Sequence, residues 1–179
     1  MLQITIPGIE MWDEVSSCFV TYEPCTLELE HSLVSLSKWE SKWKVPFLTS
    51  DMNTEQTLDY IKFMTMTEGV SPDVYTRLTQ QNIEQVRDYI ADPMTATTFK
   101  KEQGGRRNNE VITAELIYYW MIALNIPFEC RYWHLNQLIT LIRVCSIKNA
   151  PAKKMSKNEI RRQNAALNAA RLKQFNTNG

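Results

Sequence analysis

Two histidines, His31 and His134, are the side chains that could act as a base near neutral pH, and each lies in a segment whose pattern is otherwise structural. The sequence has no glycine-rich phosphate loop, no nucleophile elbow and no helical zinc-protease signature. Cys130 and His134 have a metal-like spacing, one helical turn. A zinc site would need two more ligands, such as Cys18 and Cys25, and no close Cys-x-x-Cys pair is present. We therefore expect reduced, buried thiols, no catalytic residue, no cofactor and no metal, in a protein that is not an enzyme.

Aromatic side chains offer a different chemistry, the anchoring of a protein partner. Trp39 and Trp43 occur in a local repeat, Ser-Lys-Trp-Glu-Ser-Lys-Trp, that places both indoles one turn apart on one helix face. They either anchor that helix in the core, the reading we favour, or line a groove for a partner helix. Four more aromatic residues flank Pro127 and pose the same choice: Tyr119, Trp120, Tyr132 and Trp133.

The balance of charges is uneven along the chain. Residues 1–130 carry 10 Lys and Arg against 19 Asp and Glu, a net −9, whereas residues 131–179 carry 10 against one, a net +9. The two ends could attract each other or a neighbouring copy. The basic C-terminal segment could bind an acidic partner through residues that include Lys153, Lys154, Arg161 and Arg162. A solvated helix explains the same charges, and nucleic-acid binding is less expected because only one aromatic residue is interleaved with them.

Length and composition indicate an ordinary globular protein. With 179 residues, 44% of them hydrophobic and 22% charged, the chain can bury a real core. The N-terminus lacks a basic start followed by an apolar run, and the longest apolar run, 117–124, is far too short for a bilayer. We expect an intracellular, soluble protein with no membrane contact.

Alternation of apolar and polar residues predicts a small antiparallel sheet of three or four strands at the start of the chain. Pro7-Gly8 would turn the first two strands into a β-hairpin, and Glu23-Pro24 supplies a second turn. The predicted strands cover residues 2–6, 9–11, 18–22 and 26–30.

A helical period begins at Ser32. The first predicted helix ends at Pro46, the second begins near Asn53, and the third covers 79–90. Residues 100–109, with paired glycines and charges of both signs, predict a mobile loop whose end caps a central helix at Asn108 or Asn109.

The segment around Pro127 predicts two apolar helices joined by a hinge. Residues 111–126 are apolar on nearly every face, so we expect this helix to be enclosed by other elements. The second helix has one apolar stripe, from Leu135 to Cys145, and a wetter face with Gln137 and Arg143. A last helix, opened by Ser156 with a glutamate three residues on, follows with few apolar residues.

Together these elements predict a predominantly helical α+β fold. A small N-terminal antiparallel β-sheet packs on a helical bundle, and a basic C-terminal helix follows. We expect one globular domain over residues 1–149, with strands within about 2–31, helices within about 32–149 and the mobile loop at 100–109. Residues 150–179 form a basic C-terminal helix or tail.

Three segments, SLVSLSKWESKWKVPFL, ITAELIYYWMIALNIPFECRYWHLN and MSKNEIRRQNAALN, resemble the tail assembly chaperone family of tailed, siphovirus-like bacteriophages. The resemblance covers most of the chain, though no single motif is diagnostic. It implies a viral protein without enzymatic activity that binds and solubilises the tape measure protein before the tail tube polymerises. It implies action in the cytoplasm of the infected bacterial host and absence from the mature virion.

The resemblance also implies self-association, and as further partners a frameshifted longer form of the chain itself and the tail tube protein. Ala152-Lys153-Lys154 can be encoded GCA-AAA-AAG, which contains a heptamer that permits a one-base backward slip. Two other functions fit the sequence less well. One is a phage structural protein, either a head-to-tail connector or a tail terminator, and the other is a basic nucleic-acid-binding protein.

Overall fold

A computed structural model describes residues 1–14, 17–99, 110–150 and 157–175, without the side chains of Asp13 and Glu159. The chain divides into two compact units, Met1–Ser146 and Ile147–Gly179. The fold is α+β and predominantly helical, with antiparallel strands at the N-terminus, so the predicted fold class is confirmed. The predicted loop 100–109 lies outside the described residues.

The strands form one long antiparallel ribbon rather than the predicted sheet of three or four strands. Strand β1 pairs with β4, and β2 pairs with β3. The prediction that Pro7-Gly8 turns β1 back onto β2 is therefore wrong. The strands are β1, Leu2–Ile6; β2, Ile9–Asp13; β3, Cys18–Tyr22; and β4, Cys25–Leu29.

Two prolines that face each other interrupt the ribbon. The register is continuous, because Ile6 pairs with Cys25 and Ile9 with Tyr22, which leaves Pro7 opposite Pro24. Neither proline has an N–H group, so neither strand can donate a ladder hydrogen bond at this step. Each proline, which suggested a turn in the sequence, thus marks a gap in the hydrogen bonds between the two strands. The strands β2 and β3 continue beyond this gap, and we call this pair the distal ribbon.

Capping side chains precede the first three helices. Ser32 accepts a hydrogen bond from the Ser35 N–H group, and capping boxes open the second and third helices. The helices are α1, Leu33–Trp43; α2, Thr54–Met64; α3, Gln80–Ala91; α4, Ala114–Ala123; α5, Leu135–Asn149; and α6, Lys157–Phe175. Short 3-10 helices cover Phe47–Thr49, Pro72–Arg77 and Phe128–Tyr132.

The core of the first unit lies around α1. This helix packs against α2, α4 and the 3-10 helix Phe128–Tyr132, while β1 packs against α3. One face of the β1–β4 ladder faces the core, and the other carries polar cross-strand pairs such as Thr5 with Thr26. Fully buried side chains include Ile4, Ile6, Leu27, Leu29, Leu33, Leu36, Trp39, Ile61, Ile117 and Leu135.

Helix α4 begins later than the sequence suggested. The predicted caps Asn108 and Asn109 lie outside the described residues, and the helix starts at Ala114 with Thr113 as its N-cap residue. Within the described part of the chain, no helix is both long enough and apolar enough to cross a membrane.

Candidate partner-binding surface

Helix α4 is buried on one face only. Ala114, Ile117 and Met121 have no exposed surface, whereas Tyr119 is 62% exposed and Ile122 is 69% exposed. The prediction that other elements enclose this helix is therefore wrong. Its core face meets α1, but an apolar face on the outer side remains open to solvent. Large exposed apolar side chains next to one another mark an interaction site more often than isolated ones do.

Aromatic side chains extend this outer face of α4 onto the 3-10 helix that follows. The Tyr118 and Phe128 rings lie 5.6 Å apart between centroids. The Arg131 guanidinium stacks on Phe128 at 4.4 Å and on Tyr132 at 4.7 Å from the ring centroids. Ile122 lies one turn after Tyr118. We call the following set the aromatic surface: Tyr118, Tyr119, Ile122, Phe128, Arg131 and Tyr132.

A Schellman motif at the end of α4 brings the two parts of this surface together. Asn125 adopts a left-handed conformation with φ 53°, which asparagine tolerates better than most residues. The Ile126 N–H group donates to the Met121 carbonyl at 2.9 Å, and the Asn125 N–H group donates to Ile122 at 3.2 Å. Ile126 is buried, and Pro127 then starts the 3-10 helix. The chain therefore reverses within a few residues and returns along α4.

Arg131 has one donor that no described residue accepts. Its Nη2 donates to the Tyr132 hydroxyl at 2.8 Å. Its Nε is buried and has no hydrogen-bond partner among the described residues. Burial raises the pKa of the Tyr118 hydroxyl, while the nearby Arg131 charge opposes that shift. A partly exposed cation that stacks on two rings suits an acceptor, such as a carboxylate, on a bound partner.

The tryptophans of the Ser-Lys-Trp repeat differ in their environments. Trp39 is completely buried and donates its Nε1–H to the Gln56 carbonyl at 2.9 Å. Because Trp39 has no exposed surface, its assignment as a partner-binding residue is wrong. It anchors the helix in the core, which is the alternative that the sequence favoured. Trp43 is half-buried, and the Lys42 ammonium lies 5.2 Å from its ring centroid.

The other predicted partner-binding residues fall into two groups. Trp120 is half-buried against the core, and Trp133 is 42% exposed. Arg161 and Arg162 are exposed on α6, which belongs to the second unit. Lys153 and Lys154 lie outside the described residues.

Both histidines lie together in the core. His31 Nδ1 shares a hydrogen bond with the Tyr60 hydroxyl, and His134 Nε2 donates to the Tyr89 carbonyl at 3.0 Å. The two imidazole rings are 5.0 Å apart. Burial, with a smaller effect of His134, lowers the pKa of His31 to about 3, and burial also lowers the pKa of His134. Backbone bonds join the same segments, since the Leu135 N–H group donates to the His31 carbonyl at 2.7 Å.

Glu40 is a structural carboxylate whose role sequence reasoning missed. Its Oε1 accepts the Phe47 N–H at 2.8 Å, and its Oε2 accepts the Ala114 N–H at 2.7 Å. Glu40 thus caps the first residue of α4, whose own N-cap residue Thr113 makes no side-chain cap bond. The signal available was a glutamate on the apolar stripe of α1, at a position otherwise suited to a buried residue.

Comparison of the chain with protein-family models, with curated proteins and with solved structures finds no match. Among the described residues, no group of three or more His, Cys, Asp and Glu side chains is placed to hold a metal ion. Burial raises the pKa of the Cys130 thiol.

Proposed function

We propose that this protein is a tail assembly chaperone without enzymatic activity, which binds the tape measure protein of a bacteriophage and keeps it soluble until the tail tube polymerises. The observation that carries the proposal is the open face of α4. Tyr119 and Ile122 are among the most exposed large apolar residues of the first unit. Such side chains are costly to leave in water unless a partner covers them.

The chemistry of the aromatic surface suits a helical client. Tyrosine and arginine are preferred anchors at protein interfaces because they combine large area with a polar group. An amphipathic client helix would place apolar residues, spaced three and four apart, on Ile122 and the neighbouring rings. An acidic residue on its flank would pair with the partly exposed guanidinium group of Arg131. The resemblance of the sequence to tail assembly chaperones supplies the identity of this client.

Co-expression with a candidate tape measure protein tests the proposal. We expect the wild-type chain to raise the soluble fraction of the client and to co-purify with it. Ile122→Ser should weaken both effects at least tenfold, because it removes an apolar contact at the centre of the surface. Ile147→Ser is the matched control, since Ile147 is an exposed isoleucine on another helix, 55% exposed. A client that stays insoluble with the wild-type chain, or equal effects of the two variants, would refute the proposal.

A phage structural protein is the second candidate, and the distal ribbon favours it. In the described part of the chain, β2 and β3 each have one neighbouring strand, so each has an edge free to extend a sheet in an assembled particle. Mass spectrometry of purified virions separates the two functions. A chaperone should be abundant in infected cells and absent from virions, whereas a structural protein should be present in both.

A further inference from the structure

The distal ribbon combines exposed apolar side chains with acidic ones. Phe19 is 70% exposed and Trp12 is 54% exposed, and their rings form a T-shaped cross-strand pair with centroids 5.1 Å apart. Ile9 and Met11 are exposed on the opposite face of β2. Residues 9–23 carry four Asp and Glu and no Lys or Arg, a net charge of −4. A two-stranded ribbon is marginally stable alone, so a partner that covers it would stabilise it.

One cation lies at the base of the distal ribbon. Arg77 stacks on Tyr22 at 4.9 Å from the ring centroid and donates to the Pro7 and Glu23 carbonyls at 3.3 and 3.4 Å. It holds the ribbon at the proline step. The acidic residues Glu10 and Glu14 lie further along the ribbon, and both are exposed.

Helix α6 has the opposite charge. Residues 157–175 carry five Lys and Arg against one glutamate, a net charge of +4. Every described side chain of this helix is exposed, including Ile160, Leu167, Leu172 and Phe175. A helix of 19 residues with no buried face is marginal in water, because tertiary packing normally supplies most of a helix's stability.

One stripe along α6 is free of charge. Ile160, Gln163, Leu167, Ala170 and Gln174 recur at intervals of three and four residues, which places them on one face. Arg171 and Lys173 flank this stripe. An uncharged stripe with basic flanks is the complement of an apolar ribbon with acidic residues.

We infer that α6 of one copy docks on the distal ribbon of a second copy. The two surfaces carry opposite charges of equal size, and each exposes apolar side chains that the other would cover. The same separation holds for the whole units. Met1–Ser146 carries 12 Lys and Arg against 19 Asp and Glu, a net −7, and Ile147–Gly179 carries 8 against one, a net +7.

This contact joins two different surfaces, so a pair of copies keeps one free ribbon, on the first copy, and one free helix, on the second. Contacts of that kind produce rings when the rotation closes and open chains when it does not. The inference is independent of the proposed client, because it uses none of the aromatic surface. Chains or rings of copies would nevertheless carry one aromatic surface per copy.

Sedimentation velocity of the full-length protein over a range of concentrations tests the contact. We expect the wild-type chain to self-associate at low salt and to dissociate as the salt concentration rises, because screening weakens contacts between exposed charges. Glu10→Lys with Glu14→Lys should raise the dissociation constant about tenfold or more, and so should Arg171→Glu with Lys173→Glu. Combining all four substitutions should restore association, since the charges are exchanged.

Glu84→Lys with Asp88→Lys is the matched control, because it reverses two exposed charges on α3 and changes the net charge by the same amount. It should alter association much less than the ribbon variant does. Circular dichroism and thermal melts would verify that every variant is folded. A wild-type chain that stays monomeric, a ribbon variant that associates as the wild type does, or a fourfold variant that fails to recover would each overturn the inference.

Discussion

Replacing Glu40 tests whether one buried carboxylate sets the position of α4. Glu40 is 8% exposed, and its two oxygens accept backbone N–H groups from Phe47 and Ala114. A hydrogen bond to a charged group contributes roughly 1.5 to 3 kcal/mol, more than a neutral one. One bond joins Glu40 to Phe47, seven residues on, and the other joins it to Ala114, 74 residues on. Neither is a bond within a helix, so helix formation does not replace it.

Glu40→Gln keeps the size of the side chain but leaves one acceptor oxygen, and its amide group would face an N–H donor. We expect a loss of about 2 kcal/mol in the free energy of unfolding, equivalent to a fall of about 4 to 8 °C in melting temperature. Glu40→Ala loses both acceptors. Its cost should be about 3 to 4 kcal/mol, less than twice the larger single-bond value, because a surface cavity beside Glu40 and Thr113 lets water reach the freed groups.

Urea unfolding followed by circular dichroism measures these changes. Glu84→Gln serves as the control, because Glu84 is exposed on α3 and accepts from the exposed Gln80 side chain at 3.2 Å. Its effect should stay within about 0.5 kcal/mol. If Glu40→Gln costs no more than Glu84→Gln, the carboxylate does not hold α4, and apolar packing against α1 must position the helix alone.

Two further predictions concern the core. Trp39→Ala should destabilise the protein by about 4 kcal/mol, whereas Trp43→Ala should cost about 1 to 2 kcal/mol because Trp43 is only half-buried; equal costs in urea unfolding would contradict the burial of these two residues. Burial lowers the pKa of His31 in the folded state to about 3, far below the usual 6.5. Below pH 6.5 the unfolded state therefore binds more protons than the folded state, and the free energy of unfolding should fall between pH 6.5 and about pH 3. At pH 5 the loss from His31 should be about 2 kcal/mol relative to pH 7, and His31→Gln should remove that part of the slope; an unchanged slope would contradict the neutral, buried state of His31.

Most element boundaries could be predicted from the sequence because their signals are local. Ser32, Asn53 and Thr79 each cap a helix through contacts with residues less than one turn away. In the structure, a helix begins directly after each of them. The apolar stripe of α5 is confirmed in the same way, with Leu135, Leu138 and Ile142 buried. Each of these features depends on side chains one turn apart.

The predictions that were wrong depended on which segments of the chain pack against each other. Pro7-Gly8 and Glu23-Pro24 are each reasonable hairpin turns, and only the pairing of β1 with β4 shows that they interrupt one ribbon. Apolar residues on nearly every face of α4 suggested a buried helix. The sequence pattern does not show how many other elements pack around that helix. The role of Glu40 likewise depends on Ala114, 74 positions away in the chain. Information of this kind is absent from any local window.

The positions of the residues in the aromatic surface depend on groups that are not themselves part of it. Glu40 holds the first residue of α4, and the buried Ile126 with the bond to Met121 fixes its end. The exposed side chains Tyr119 and Ile122 contribute little to this framework, so changes there should cost less than about 0.5 kcal/mol of stability. Folding and the proposed partner binding should therefore respond to different substitutions. We expect Ile122→Ser to affect the proposed partner binding alone, and Glu40→Gln to alter both the stability of the fold and the placement of the surface.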